Sequence, residues 1–498
     1  MKTVIGIDLG TQSSKILMYD YEKRRIAARA SAPHDLISDD TGRSEQESSW
    51  WIDALQKAFA EIPEDLRATA QALAVSGQQH GFVPLDAAGN VIYRVKLWND
   101  TSTVRECREL TEGFGGAGAL LRGPGNLILP GYTAGKILWL KKNEPEVFFR
   151  LAHILLPHDY LNYLLTGELS MEYGDASGTG LLNIRERNWN RRLCDLIDER
   201  VYAMLPKLRS PEMGAGRVCR RAAQLFGIPE GIPVATGGGD NMMAAIGTGA
   251  ARDGFLTMSL GTSGTLCAFS SHPIIDNEGI IAAFCSSTGG WLPLLCTMNC
   301  TVASEKARRL FDVPVSELDA RAGSSPPGSE GVVVLPFFSG ERAPNLPRAR
   351  ASIMGLNMVN MKRENIIRAS MESAIFAMKQ GLESLRKLDM EVRRITLTGG
   401  GAQSRVWRQM VADITDLPVH VSFTHESAAL GAALQALYFF LRTTESGSFL
   451  GGSSLEKLAA EHLNQKNDII EPGRNRAGYA EAYARYAEYL EILKPLYS

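Results

Sequence analysis

One short segment occurs twice in this chain, half its length apart: Gly6-Ile7-Asp8-Leu9-Gly10-Thr11-Gln12-Ser13 and Thr257-Met258-Ser259-Leu260-Gly261-Thr262-Ser263-Gly264, with Leu-Gly-Thr common to both. In each copy an apolar run enters a Gly-Thr turn and leaves it as a second apolar run, Lys15 to Tyr19 in one case and Thr265 to Phe269 in the other. Apolar runs flanking a tight glycine turn read as a β-hairpin, and internal repetition reads as duplicated structure. The economical architecture is two related domains, residues 1–249 and 250–498, each opening on the same hairpin. A chain of 498 residues suits two large domains better than a single core, given roughly 150 residues for a common domain.

Strand-type runs alternate with helical patterns: Thr3 to Ile7, Ser14 to Tyr19, helical Glu47 to Ile62, then Gln71 to Val75. That alternation places the chain in the α/β class. Helical spacing recurs over Tyr132 to Lys142, over Arg363 to Leu388, and in the tail from Arg476, while a strand is expected at Arg394 to Thr398 and a Gly/Ser-rich connector at residues 445–454. A net charge of -2 gives no global attraction to nucleic acid or to an anionic membrane. Apolar runs such as Gly331 to Phe338 fall far short of the roughly 20 residues that cross a bilayer. Asp8 interrupts the only apolar stretch at the N-terminus, so no export signal is expected. Seven cysteines without a C-x-x-C pair read as reduced thiols in a cytoplasmic protein.

The duplicated turn is where chemistry is first expected. Glycine lets backbone N–H groups approach a ligand, and the Thr and Ser that follow add hydroxyl donors, a combination suited to phosphate. One such turn would be an ordinary hairpin; two point to a nucleotide whose phosphates meet both. Asp8 precedes the first turn in an apolar strand, where an unpaired acid is costly, so it is a candidate Mg²⁺ partner rather than a solvated strand end. Gly237-Gly238-Gly239-Asp240-Asn241 closes the run Val234 to Thr236 and opens a helical segment. Asp240 reads either as a helix cap or as a general base for a hydroxyl proton, with the three glycines admitting a ligand. Ser76-Gly77-Gln78-Gln79-His80-Gly81 offers an amide and an imidazole to a polyol, and Gly399-Gly400-Gly401 before Ser404 offers a flat surface to a purine. No G-x-x-x-x-G-K-[ST] is present, because Gly131 to Lys136 is a residue short and is followed by Ile137, and neither G-x-S-x-G nor H-E-x-x-H occurs.

Together these motifs resemble the FGGY carbohydrate kinases of the sugar kinase/heat-shock/actin superfamily. Two long signatures carry the resemblance, Gly131-Tyr132-Thr133-Ala134-Gly135-Lys136-Ile137-Leu138-Trp139-Leu140-Lys141-Lys142-Asn143 and the stretch Ala351 to Glu372 with Gly355-Leu356, Ala369-Ser370 and Glu372. Shorter matches are Leu97-Trp98-Asn99-Asp100, Leu156-Pro157-His158-Asp159-Tyr160 and Ser339-Gly340-Glu341-Arg342. The resemblance implies two actin-like, ribonuclease H-like ATPase domains around a central cleft, the first binding sugar and the second ATP. It implies Asp240 as general base, with Asn241, Gln79, His80 and Trp98 on a ketopentose, D-xylulose first, and D-ribulose, L-xylulose or a sugar alcohol next. Asp8 would share in catalysis by organising Mg²⁺. Thr11, Gln12, Ser13, Gly261 and Thr262 would meet the ATP phosphates, and Gly400, Gly401 and Ser404 the adenosine. A homodimer is implied as well. Two readings from other classes stay open on the residues alone: a non-catalytic nucleotide-driven switch of the same superfamily, and a plain sugar-binding module.

Overall fold

The computed structural model of the protein describes residues 1–338, 340–346, 348–444, 454–463 and 469–497. Ser339 of the Ser-Gly-Glu-Arg match and the expected connector, Ser454 apart, lie outside the described residues. The chain forms two compact units. The first holds the described residues of Met1–Ala251, Ser270–Pro293 and Glu426–Asn464; the second holds those of Arg252–Phe269, Leu294–His425 and Gln465–Ser498.

In the first unit a seven-stranded sheet runs Gly214–Arg217, Pro233–Ala235, Ala70–Gly77, Thr3–Leu9, Ser13–Asp20, Arg25–Pro33, with Gly238–Gly239 also beside Ala70–Gly77. Thr3–Leu9 pairs antiparallel with Ser13–Asp20 and parallel with Ala70–Gly77. The second unit has a six-stranded sheet in the order Leu294–Thr297, Gly264–Ala268, Gly254–Leu260, Val392–Thr398, Val419–Val421, Ile469–Ile470. There Gly254–Leu260 pairs antiparallel with Gly264–Ala268 and parallel with Val392–Thr398. The repeated Leu-Gly-Thr segment is thus the turn of one hairpin built twice, and each hairpin has a parallel third strand, ending at Gly77 in one case and just before Gly399 in the other. Parallel neighbours need a long crossover, and helix Arg363–Lys387 lies on the crossover of the second sheet.

A division between residues 249 and 250 falls beside the first passage between units, yet residues 250–498 do not form a single body. Burial explains the difference. Every residue of Thr3–Leu9 is buried, so both faces of the strand need apolar cover. Helix Ser427–Thr444 supplies it on one face, with Ala429, Leu430, Ala433 and Leu434 all buried. Gly6 allows this approach: a Cβ there would stand 1.8 Å from the carbonyl oxygen of Ala429. The same helix crosses helix Asp240–Gly247 backbone to backbone, since a Cβ on Gly431 would lie 1.8 Å from Met243 O and one on Gly247 1.9 Å from Ser427 O. Gly431→Ala is therefore expected to destabilise the protein by at least about 1–3 kcal/mol, the usual cost of overpacking. A thermal melt matching the wild type would contradict that backbone contact.

The remaining expected helices appear as Ser48–Ala60, Thr133–Asn143 and Arg476–Leu493. A G-x-G-x-x-G spacing at Gly113 to Gly118 joins helix Val104–Phe114 to helix Ala117–Arg122 instead of a strand to a helix, so it has no dinucleotide-binding context. Among the described residues no helix is long and apolar enough to cross a membrane.

Candidate active site

Strand Pro233–Ala235 runs through the three glycines directly into helix Asp240–Gly247, whose N-cap is Gly239. Asp240 is consequently the first helical residue and not the cap. Its Oδ1 accepts from the backbone N–H of Asn241 at 2.7 Å and from Asn241 Nδ2 at 3.0 Å. Asn241 Nδ2 also donates to Gln79 Oε1 at 2.9 Å, which joins the helix start to the end of strand Ala70–Gly77. The glycines themselves are explained by protein and not by a ligand. A Cβ on Gly237, whose φ is +70°, would lie 2.1 Å from Val75 O; on Gly238, 2.5 Å from Ser287 Oγ; on Gly239, 2.7 Å from Gln79 Cγ. The expectation that they admit a ligand is corrected on this ground.

Asp240 is one of several acids in the first unit whose surroundings disfavour charge, Glu172 being raised to about 7 as well. The Asp240 carboxyl is pushed up to about 7, first by burial and then by the charges of Asp8 and Asp175, with the Asn241 N–H and Lys15 opposing. Desolvation and like charge both disfavour the ionised form, which brings an ordinarily strong acid near neutrality. Asp8 is 6% exposed, so it is not a solvated strand end. One of its oxygens accepts from Ser76 Oγ at 3.0 Å and the other stands 3.5 Å from Lys15 Nζ.

The sugar-facing candidates are held firmly. Gln79 and His80 are both buried. His80 takes φ +64°, and its carbonyl accepts from Thr133 Oγ1 at 3.1 Å and Lys136 Nζ at 2.6 Å. Its ring packs against Tyr132 and Phe284, with centroids 4.7 and 5.8 Å away, and those two rings also meet each other at 6.3 Å. The signature Gly131 to Asn143 thus acts on the site through Tyr132, Thr133 and Lys136. Trp98 Nε1 donates to Thr11 Oγ1 at 2.9 Å, so the indole N–H braces the turn. Within that turn Gly10 N–H donates to Ser13 O at 3.1 Å, Thr11 O accepts from Gln46 Nε2 at 2.8 Å, and Gln12 is exposed. Sequence reasoning missed Asp175 and gave His158 no role. Asp175 follows the short strand Ser170–Glu172 in the glycine-rich stretch Gly174 to Gly180, and that pattern was the signal that could have found it.

In the second unit the Gly261 and Thr262 carbonyls accept from the N–H groups of Thr301 and Cys300, both at 2.9 Å. A Cβ on Gly399 would lie 2.8 Å from Leu260 O, so the two glycine turns are neighbours. Gly401 is glycine because the Trp407 ring, 2.6 Å from a Cβ, and Leu260 crowd it, whereas Gly400 faces open space. Ser404 departs from the expected adenosine contact. It caps helix Arg405–Thr415 by accepting from Trp407 N at 3.0 Å, and its hydroxyl donates to Asp319 Oδ1 at 2.5 Å. Its only proton goes to Asp319, so towards a nucleotide the hydroxyl can accept but not donate.

These features coincide with a known family. The model of the N-terminal domain of the FGGY family of carbohydrate kinases matches residues 3–247, and that of the C-terminal domain matches residues 256–440. The chain belongs to the FGGY family of carbohydrate kinases, enzymes that use ATP. The xylulose kinase of Haemophilus influenzae is 41% identical over 98% of this chain and 99% of that protein. The crystal structure of xylulose kinase from Bifidobacterium adolescentis matches with TM-score 0.79 at 31% identity, covering 98% of this chain and 99% of that one. A gluconate kinase from Lactobacillus acidophilus matches with TM-score 0.88 at 24% identity over 99% of this chain and 98% of that one, a likeness of fold alone.

Proposed function

We propose that the protein transfers the γ-phosphoryl group of ATP to the terminal hydroxyl of D-xylulose, with Asp240 as general base. The observation that carries this reading is the Asp240 carboxyl itself, raised to about 7 and linked through Asn241 to Gln79. A base titrating near neutrality can accept the hydroxyl proton as the phosphoryl group arrives. The relatives named xylulose kinase supply the sugar; the fold does not, since a gluconate kinase shares it.

In this reading the first unit binds sugar through Gln79, His80, Asn241 and Trp98. The second unit grips ATP, its phosphates at Gly261 and Thr262 and its adenosine along Gly400 and Gly401. Thr11, Gln12 and Ser13 present phosphate donors from the first unit. Mg²⁺ fits Asp8, whose carboxylate is nearly buried beside Ser76 Oγ and Lys15 Nζ. A single nearly buried carboxylate suits an ion that takes one or two carboxylates and fills its shell with water and phosphate oxygens. When bound, Mg²⁺ neutralises charge on the phosphate oxygens. Asp8→Asn is expected to raise the Mg²⁺ requirement roughly 10- to 100-fold, the usual scale for losing a metal-shell partner. A Mg²⁺ titration read by turnover checks this. In this reading the protein is cytoplasmic; whether it forms the homodimer that the family resemblance allows is read by light scattering of the purified chain.

The decisive experiment is an ATP-coupled screen over pentuloses, pentitols, glycerol and gluconate. D-xylulose should lead by at least about tenfold in kcat/KM, or roughly 1.4 kcal/mol. Another leading polyol would replace the substrate, and no sugar-stimulated ADP release would sink the reading.

A further inference from the structure

Thr11, at the bend of the first glycine turn, is held by two side chains that arrive from one small sheet. Its strands Ile37–Ser38, Ser44–Gln46 and Val95–Lys96 pair antiparallel, with Gln46 opposite Val95. Trp98, just beyond the last of them, donates to the Thr11 hydroxyl, and Gln46 donates to the Thr11 carbonyl. Gln46 has no part in the transfer as described above.

The Gln46 side chain is 0% exposed, and its amide is engaged on both sides. Nε2 donates to Thr11 O and to Asp35 O, both at 2.8 Å, with His34 Nδ1 3.0 Å away. Oε1 accepts from Trp51 Nε1 and from Gln78 Nε2, both at 3.0 Å. Two acceptors on the nitrogen and two donors on the oxygen fix which way the amide is turned. Trp51 and Gln78 are themselves fully buried, so turning it over would leave buried donors unpaired.

The hairpin closes through other carbonyls: Gly10 N–H donates to Ser13 O and His34 N–H to Gln12 O, both at 3.1 Å. The direction of Thr11 O is therefore set by Gln46. A peptide unit is planar and trans, so its C=O and N–H point opposite ways. With Thr11 O turned in to the buried amide, the N–H of Gln12 is turned the other way, and Gln12 is an exposed residue. The same peptide flipped would offer an incoming anion a carbonyl oxygen in place of a donor.

We propose that Gln46 is a positioning residue that sets the Thr11–Gln12 peptide so that the Gln12 N–H meets a phosphate of the nucleotide. The inference rests on the sugar-kinase reading, in which this turn presents phosphate donors. A backbone donor held in place beforehand needs no reorientation when the phosphate arrives. The nucleotide should feel the loss of Gln46 and the sugar should not.

The test uses Gln46→Glu in the full chain. Glutamate keeps the lone pairs that Trp51 and Gln78 use but sets a carboxylate against Thr11 O, which turns that peptide over. ATP is varied at saturating Mg²⁺ and at saturating levels of the sugar the wild type turns over best, and the Kd of that sugar is measured by calorimetry without nucleotide. The KM for ATP should rise at least about tenfold while the sugar Kd changes by less than about twofold. An unchanged ATP KM in a variant with wild-type melting overturns the proposal, as does a sugar Kd weakened as much as the ATP KM. Should Gln46→Glu not fold, Gln46→Met, of similar length and without a buried charge, carries the ATP measurement. In the wild type, a nonhydrolysable ATP analogue should move the Gln12 amide N–H NMR signal downfield and the sugar alone should not; a Gln12 signal that ignores the nucleotide also overturns it. A wild type that phosphorylates no sugar defeats the reading of the site, whereas turnover with a wild-type ATP KM in the folded variant defeats this inference alone.

Discussion

Asp240→Asn is expected to lower kcat by a factor of about 10² to 10⁴, the usual contribution of a positioned general base, while leaving the protein folded. Asparagine keeps the shape of the side chain and can still accept from the Asn241 N–H groups that hold Oδ1 at 2.7 and 3.0 Å. What it lacks is the lone pair that takes the hydroxyl proton. The same substitution should raise Tm at pH 8. In the folded wild type the carboxyl is raised to about 7 by burial and by Asp8 and Asp175, whereas unfolded it ionises near an ordinary aspartate value. Between those values the folded state holds the proton and the unfolded state has lost it, so wild-type stability falls as pH rises from about 4 to 7. The melting advantage of Asp240→Asn should therefore be absent near pH 4 and complete above about 7. Turnover retained within about tenfold would remove Asp240 from the chemistry.

Acidification should cost the wild type almost as much. A base must be ionised to accept a proton, so kcat/KM for the sugar should fall about tenfold per pH unit below about 7, reaching roughly 100-fold at pH 5. Substrate inert to titration, assayed with saturating Mg²⁺, makes the free-enzyme value readable. A flat profile from pH 5 to 8 would show that the carboxyl is ionised throughout and that its surroundings do not raise it.

Much of this architecture was legible in the chain, and the reasons are local. Leu9-Gly10-Thr11 and Leu260-Gly261-Thr262 are turns between apolar runs, and hairpins are short-range objects. Helix Arg363–Lys387 is long and strongly periodic, and its observed end lies one residue from the expected one. What stayed hidden depends on contacts distant in sequence. Nothing in Ser427–Thr444 says which sheet it will cover, and Gly6 reveals its purpose only once Ala429 is beside it. The glycines at 237–239 and 401 looked like ligand-facing backbone, yet Val75, Ser287, Gln79 and Trp407 fill the space a Cβ would need. Ser404 looked like a donor to a nucleotide because its helix was not known to borrow a second cap from Asp319. Asp175 drew no role because its partner, His158, comes from another element of the first unit.

Helix Ser427–Thr444 covers strand Thr3–Leu9, which is synthesised long before it. At about 5–20 residues per second, roughly 10–35 s separate synthesis of residue 251 from that of residue 427. Throughout that interval the nascent sheet carries an uncovered apolar face. The protein is thus a natural client for chaperones during translation, and a nonsense mutation anywhere before residue 427 yields an aggregating fragment, not a working half.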